Sequence, residues 1–376
     1  MSAQAERSVV RGGKKRFDVS AICAPRLVKW SWGCRQIGQA DWTQRYALLP
    51  EGGQPRVGDV ALVNVEELGY HSHLDTDEAR RVRLYAGDRM LAVFGNRYAT
   101  EVYEGRVLEP ENKRVHLLSR SGVIGTVVSR NRNVAEPTSL SLLGYLADSS
   151  GNRINVRDLP ERPKPASNTG IDVVVVLGTG MSTGKTTVMR RVLHELVQRG
   201  LRAAGCKLTG TTSPRDLQEM RATGAAVATD FSDYGFPSTY GATLPELIQL
   251  FDCMMETCGR AQSAIVLMEI ADGILQRETQ MLLEDNEFRK RVRGVVVAAP
   301  CSASALYAAD RVEKQGLDVW AVSGIITNSP LFMQEFSTRS SVPVVSSRTG
   351  KPLADLLLDR FNVREPGKQL REANGG

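Results

Sequence analysis

Two hydrophobic patterns run along the chain, and one gives way to the other near residue 165. In the first part, short apolar runs recur at intervals of roughly 10–20 residues with Gly, Asn and Asp between them, the spacing of a small barrel or sandwich. Residues 57–65 (VGDVALVNV) form a β-branched run opened by Gly58 and Asp59. Residues 82–94 predict two short strands joined at Ala86, Gly87 and Asp88, and residues 99–108 and 122–129 read alike. Helical periodicity first appears at about 139–146.

In the second part, residues 171–177 (IDVVVVL) are apolar almost throughout, as in a strand covered on both faces. The next segment is helical, with Val188, Val192, Leu193, Leu196 and Val197 on one side and Gly200 as its stop. Further strands are predicted at 202–207, 263–269, 294–299, 319–326 and 342–346. Helices are predicted between them at 213–226, 244–259, 276–292, 303–315 and 330–338. This alternation predicts an α/β fold, a doubly wound parallel sheet, with ligands beyond the carboxyl ends of the strands.

The changeover falls in residues 158–170 (DLPERPKPASNTG), whose three prolines suit an extended linker. The expected organisation is a tail at 1–15, a β-rich domain at 16–157, a linker at 158–170, an α/β domain at 171–362 and a tail at 363–376. The length of 376 residues fits two domains. Six cysteines without a CxxC pair or zinc-ligand spacing read as reduced thiols, mostly buried, in a cytoplasmic protein. No apolar run approaches a membrane span. The net charge of +6 lies entirely in residues 1–165, which hold 25 Lys and Arg against 19 Asp and Glu. That surplus is spread out and reads as a solvated surface, so nucleic acid is not an expected partner.

The chemistry concentrates in residues 178–187 (GTGMSTGKTT), a glycine-rich loop between a strand and a helix. Such a loop turns backbone N–H groups around phosphate oxygens, and the helix adds its positive end. Gly178, Thr179, Gly180, Met181, Ser182, Thr183, Gly184, Lys185, Thr186 and Thr187 are therefore the candidate nucleotide site. Lys185 would reach the β- and γ-phosphates and Thr186 would hold Mg²⁺. The loop is one residue longer than the common G-x-x-x-x-G-K form, with Thr179 following the first glycine.

In length and end residues this loop resembles the G-T-x-x-x-x-G-K-T loop of dethiobiotin synthetase and its relatives. Residues 205–212 (GCKLTGTT) resemble that family's lysine segment, which implies a role for Lys207 facing substrate and phosphate. Residues 269–273 (EIADG) resemble the segment whose glutamate helps hold Mg²⁺, which implies that role for Glu269. Residues 324–328 (GIITN) imply that Asn328 reads the adenine ring. The resemblance covers about 171–360; Leu208 replaces the family's proline and the middle of 269–273 departs. The first part of the chain has no counterpart in that family's single-domain enzyme. The chain resembles a set of bacterial proteins that join an N-terminal domain to such a phosphate-loop domain.

The residues themselves point the same way. Lys207 and Glu269 each close a strand, where a cation stabilises a transferring phosphoryl group and an acid holds metal. Asp216, Asp230 and Asp233 compete for a second metal position, with Asp216 preferred and 230–240 assigned to substrate; Asp272 is a neighbour of Glu269 that shares its reach. Arg277 and Glu278 read as a helix-surface ion pair. His71 and His73 would share a strand face but lack a third ligand. Trp30, Trp32 and Trp42 read as core rather than as base-stacking platforms.

The expected function is an ATP- and Mg²⁺-dependent ligase or kinase-like enzyme. Lys185 and Lys207 would be catalytic, Thr186, Asp216 and Glu269 would hold metal, and the substrate would be a small carboxylate or an amine-derived carbamate. Resemblance within the fold implies a homodimer. GTP in place of ATP stays open. Two other readings are a regulatory ATPase acting with a protein partner and a polynucleotide kinase-like RNA-processing factor. The lysine at the end of the second strand, where the latter needs an acidic base, speaks against it.

Overall fold

The computed structural model describes residues 8–11, 14–18, 28–50, 53–161, 163, 170–346 and 348–362. Most of the expected linker, the tail at 363–376 and Cys23 lie outside them. Two compact units are present. The first is Met1–Glu161 with Thr211–Pro214 and Phe231–Tyr240, and the second is Arg162–Gly210, Arg215–Asp230 and Gly241–Gly376.

The first unit is built from β1 (Ser8–Arg11), β2 (Lys14–Asp18), β3 (Val28–Trp30), helix α1 (Trp42–Arg45), β4 (Ala47–Leu49), β5 (Val60–Glu67), β6 (His73–Asp75), β7 (Arg81–Arg83), β8 (Arg89–Phe94), β9 (Arg97–Tyr98), β10 (Tyr103–Arg106), β11 (Arg114–Leu117), β12 (Val123–Arg130) and β13 (Ser139–Ala147). β5, β8, β12, β11 and β13 are hydrogen-bonded in that order, and β13 returns to β5. The ring closes, which removes free edges from its strands. Both faces of β8 and of the first half of β5 are covered. Val60 and Leu62 join Leu91, Val93, Trp30 and Trp42, whereas Ala61 and Val63 join Met90, Ala92, Phe94 and Leu140. Successive side chains of a strand face opposite ways, so the first four residues of β5 read as a continuous apolar run.

Two expectations about this unit fail. Residues 139–146 are not helical but lie in β13, the strand that pairs with β4, β5 and β11. Leu142, Leu143 and Leu146 mimic a helical period because the register of β13 against β5 shifts between Leu142 and Gly144 and both faces are buried from Gly144 to Ala147, where Gly144 packs its backbone against Leu48. Residues 8–11 pair with 14–18 as an antiparallel hairpin, which reaches into the tail expected at 1–15. The tryptophans are core, as Trp30 and Trp42 meet edge to face at 5.5 Å between ring centroids.

The second unit holds β14 (Asp172–Gly178), α2 (Lys185–Gln198), β15 (Ala203–Lys207), α3 (Pro214–Arg221), β16 (Val227–Asp230), α4 (Leu244–Arg260), β17 (Ile265–Ile270), α5 (Arg277–Glu284), α6 (Asn286–Arg291), β18 (Val292–Ala298), α7 (Ser302–Lys314), β19 (Val319–Ser323), α8 (Pro330–Ser337) and α9 (Lys351–Phe361). Its sheet is fully parallel in the order β16-β15-β17-β14-β18-β19. The central strand β14 is buried along Val173–Leu177 and flanked by β17 and β18, as its composition requires.

Here too the edges differ from expectation. Residues 342–346 form no strand, and only Val344 bridges to Val322. Pro343 lacks the N–H that a ladder needs. The sixth strand is β16, whose four residues VATD carry too little apolar pattern to be seen. The predicted helix at 276–292 is two helices, because Asp285 leaves the helical conformation and caps α6 through Phe288 N–H at 2.8 Å. Among the described residues no helix is long and apolar enough to cross a membrane.

One buried group in the first unit gives a pH test. His71 is 6% exposed, and its Nε2 lies 2.9 Å from Arg97 Nη1. Burial, then the Arg97 charge, pushes its pKa down to about 3. The unfolded chain takes up this proton near pH 6.5 and the folded chain does not, so stability falls as pH drops from about 6.5 toward 3. His71→Gln keeps an acceptor for Arg97 and should flatten that part of the urea-unfolding profile relative to the parent. An unchanged acid slope would show that His71 is not the group responsible.

Candidate phosphate and metal site

The site forms where β14, β15 and β17 end together. The ladders place Val176 and Lys207 both opposite Glu269. Beyond β14 the chain turns at Gly178, where a Cβ would sit 2.7 Å from Lys185 Nζ and from Thr183 Oγ1. Only glycine lets the loop wrap so closely around its own lysine. Thr179 N–H donates to Ala298 O at 3.1 Å, which fixes the loop to the end of β18. Gly184 precedes α2 with φ of 99°, so the helix opens directly at Lys185.

Lys185 is buried, and Nζ donates to Gly180 O at 2.7 Å and to Asp272 O at 2.6 Å. Both acceptors are neutral carbonyls. Burial lowers its pKa, against the opposing charges of Glu269 and Asp272. Thr186 Oγ1 donates to Glu269 Oε2 at 3.1 Å. Glu269 is 2% exposed and lies 3.4 Å from Lys207 Nζ through Oε1. Lys207 also pairs with Asp216, in the first turn of α3. Burial opposes the Lys207 charge, but Asp216 and then Glu269 outweigh it and raise its pKa above the ordinary lysine value. Lys207 is thus a fixed cation rather than a base.

The end of β17 is held from several sides. Leu208 N–H donates to Glu269 O at 2.9 Å, Ala271 N–H to Thr209 Oγ1 at 2.9 Å, and Asp272 N–H to Gln276 Oε1 at 2.6 Å. Met181, Ser182, Thr183, Lys185, Lys207 and Glu269 line one cavity of about 480 Å³, with Arg215, Glu219 and Asp272 also in its wall. A second cavity of about 560 Å³ shares Gly184, Thr187 and Ile325 with it and holds Asn328, Thr327, Arg191 and Arg348.

The structure therefore brings Lys185, Thr186, Lys207, Asp216 and Glu269 together, and places Asn328 at the neighbouring cavity beside the start of α2. Asp230 is buried at the end of β16, opposite Lys207 in the ladder. Asp233 is elsewhere: it groups with the first unit and pairs with Arg35 at 2.6 Å. Residues 231–240 are bound within that unit by Gln36, Asn96 and Arg106. Arg277 does pair with Glu278, but Glu278 is fully buried and accepts Gly241 N–H at 2.8 Å, so the pair is not a surface one. His71 and His73 do not converge; His73 Nδ1 meets Ser72.

Arg191, Arg348 and Arg215 were missed, since a lone arginine on a helix or loop carries no motif. Among the described residues no three His, Cys, Asp or Glu form a metal cluster. Mg²⁺ at a phosphate site needs only one or two protein carboxylates, with phosphate and water completing its shell. Glu269 and the Thr186 hydroxyl fit that requirement.

No protein-family model and no curated protein matches the chain. Among solved structures it is similar to the signal recognition particle receptor FtsY from Elizabethkingia anophelis, at 15% identity over 54% of this chain and 74% of that one, with a TM-score of 0.33. It is also similar to the hydrogenase maturation factor HypB from Archaeoglobus fulgidus, at 14% identity over 52% and 90%, with a TM-score of 0.34. Similarity this low leaves the activity to be argued from the site.

Lys207→Met should leave Glu269 and Asp216 without their shared cation and cost about 3–5 kcal/mol in urea unfolding. The double variant with Glu269→Gln should recover part of that loss. A loss below about 1 kcal/mol would show that solvent already screens the cluster.

Proposed function

We propose that the second unit binds a nucleoside triphosphate with Mg²⁺ and transfers its terminal phosphoryl group to a small carboxylate or carbamate. The observation that carries this reading is the cluster of Lys185, Thr186, Lys207 and Glu269 at three adjacent strand ends. Lys185 is a buried cation whose two hydrogen bonds go to neutral carbonyls. Phosphate oxygens offer it stronger, charge-assisted partners at the same loop. The N–H groups of the loop and the start of α2 point their partial positive charge at the same place.

Lys207 differs in kind, since two carboxylates hold it protonated. It serves as a fixed positive charge beside a developing phosphoryl charge and does not accept a proton there. Thr186 and Glu269 would hold Mg²⁺, which when bound draws charge from the phosphate oxygens. Asp216 keeps Lys207 in place and is the weaker metal candidate of the two acids. The resemblance to dethiobiotin synthetase supports a carboxylate or carbamate acceptor and adenine at Asn328. A base and ribose fit the neighbouring cavity of about 560 Å³.

Phosphate release from ATP and from GTP, measured with Mg²⁺ and a panel of small acids and amines plus bicarbonate, tests the proposal. Lys185→Ala should lose about 10² in kcat/KM or more, and Glu269→Gln should raise the Mg²⁺ concentration needed for half-maximal rate. Unchanged nucleotide affinity in Lys185→Ala would refute phosphate binding at this loop. Full turnover without any small acceptor would favour a plain nucleotide hydrolase.

A further inference from the structure

The phosphate loop is gripped between two glycines that are not part of it. On one side is Gly273, where a Cβ would sit 2.8 Å from Gly180 Cα and 3.0 Å from Thr179 O. On the other is Gly324, buried, with φ of 87°. A Cβ there would sit 2.4 Å from Thr183 O and 3.2 Å from Ala299 N. The approach is mutual, since a Cβ on Gly184 would sit 3.2 Å from Gly324 Cα. The next residue adds a hydrogen bond, from Ile325 N–H to Thr183 O at 3.1 Å.

Gly324 also opens the 3-10 turn Gly324–Asn328. Thr327 Oγ1 donates back to Gly324 O at 2.8 Å, and Ile326 N–H donates to Ala299 O at 2.8 Å. Thr327 and Asn328, at the far end of that turn, line the cavity of about 560 Å³. One short turn therefore meets the phosphate loop through Gly324 and Ile325 and lines the nucleoside cavity along its length. Backbone contacts without an intervening side chain give it little room to move at either end.

We infer that Gly324 is a positioning residue that couples the nucleoside cavity to the phosphate loop. This rests on the phosphate-binding reading of that loop. Whatever fills the cavity against Thr327 and Asn328 sets where Thr183, Gly184 and hence Lys185 stand. Gly324 is in the wall of that cavity as well, so its effect through the Thr183 carbonyl is read with a ligand that has no nucleoside.

Inorganic tripolyphosphate with Mg²⁺ separates this coupling from base recognition, because it has no nucleoside to occupy the cavity. Calorimetric titration of the full chain is the readout, with thermal melting run alongside. Gly324→Ala, with a methyl forced against Thr183 O, should weaken tripolyphosphate about tenfold or more while the melting transition is kept. If Gly324→Ala fails to fold, Ile325→Pro and Ile325→Ala decide the matter. Both lose the isoleucine side chain, and only proline loses the N–H that reaches Thr183 O. Ile325→Pro should then bind tripolyphosphate about fivefold or more weaker than Ile325→Ala. Equal affinities within about twofold for parent and Gly324→Ala, or for the two Ile325 variants, would overturn the coupling. No tripolyphosphate binding by the parent chain would overturn the phosphate reading and the coupling with it.

Discussion

A buried carboxylate decides what the rest of the site can be. Glu269 is 2% exposed at the end of β17 and is met by Thr186 Oγ1 from the phosphate loop helix and by Lys207 from the neighbouring strand. An isolated charge so placed would be costly, and its two partners make it tolerable. Register puts them there: Lys207 and Val176 are both directly opposite Glu269 in parallel ladders. A slip of one residue in either ladder would turn Glu269 away from one of its partners. The apolar strands β14 and β17 thus fix the chemistry at their ends by fixing their pairing.

The same acid separates two lysines into two roles. Lys207 lies between carboxylates and keeps its proton, whereas Lys185 rests on carbonyls inside a glycine-lined turn. Residues 166–376 hold 23 Lys and Arg against 23 Asp and Glu, so attraction for an anion there comes from local geometry and not from a general field. The surplus charge is spread over residues 1–165, the part of the chain that also contains the closed β ring with its two apolar clusters.

Sequence reading succeeded where one residue pattern had one explanation. Four consecutive valines at 173–176 can hardly be anything but a strand covered on both sides, and the strand-loop-helix around Lys185 followed from it. It failed where burial on two faces imitates another period, as in β13, and where a strand is short and polar, as in β16. Partnerships across the chain were also out of reach. Spacing alone does not reveal that Asp233 pairs with Arg35 across 198 residues, or that Asp216 belongs to Lys207. Spacing does not reveal either why residues 273 and 324 are glycine, because what makes it necessary is a distant backbone carbonyl or Cα.

The most direct test is a crystal structure of the chain with a non-hydrolysable ATP analogue and Mn²⁺ in place of Mg²⁺. The account predicts phosphate oxygens on the N–H groups of residues 180–186, with Lys185 Nζ moved from the carbonyls to a phosphate. It predicts an anomalous manganese peak shared by Thr186 Oγ1 and the Glu269 carboxylate. Triphosphate bound away from this loop, or manganese on another acid with Glu269 still paired to Lys207 and Thr186, would contradict it.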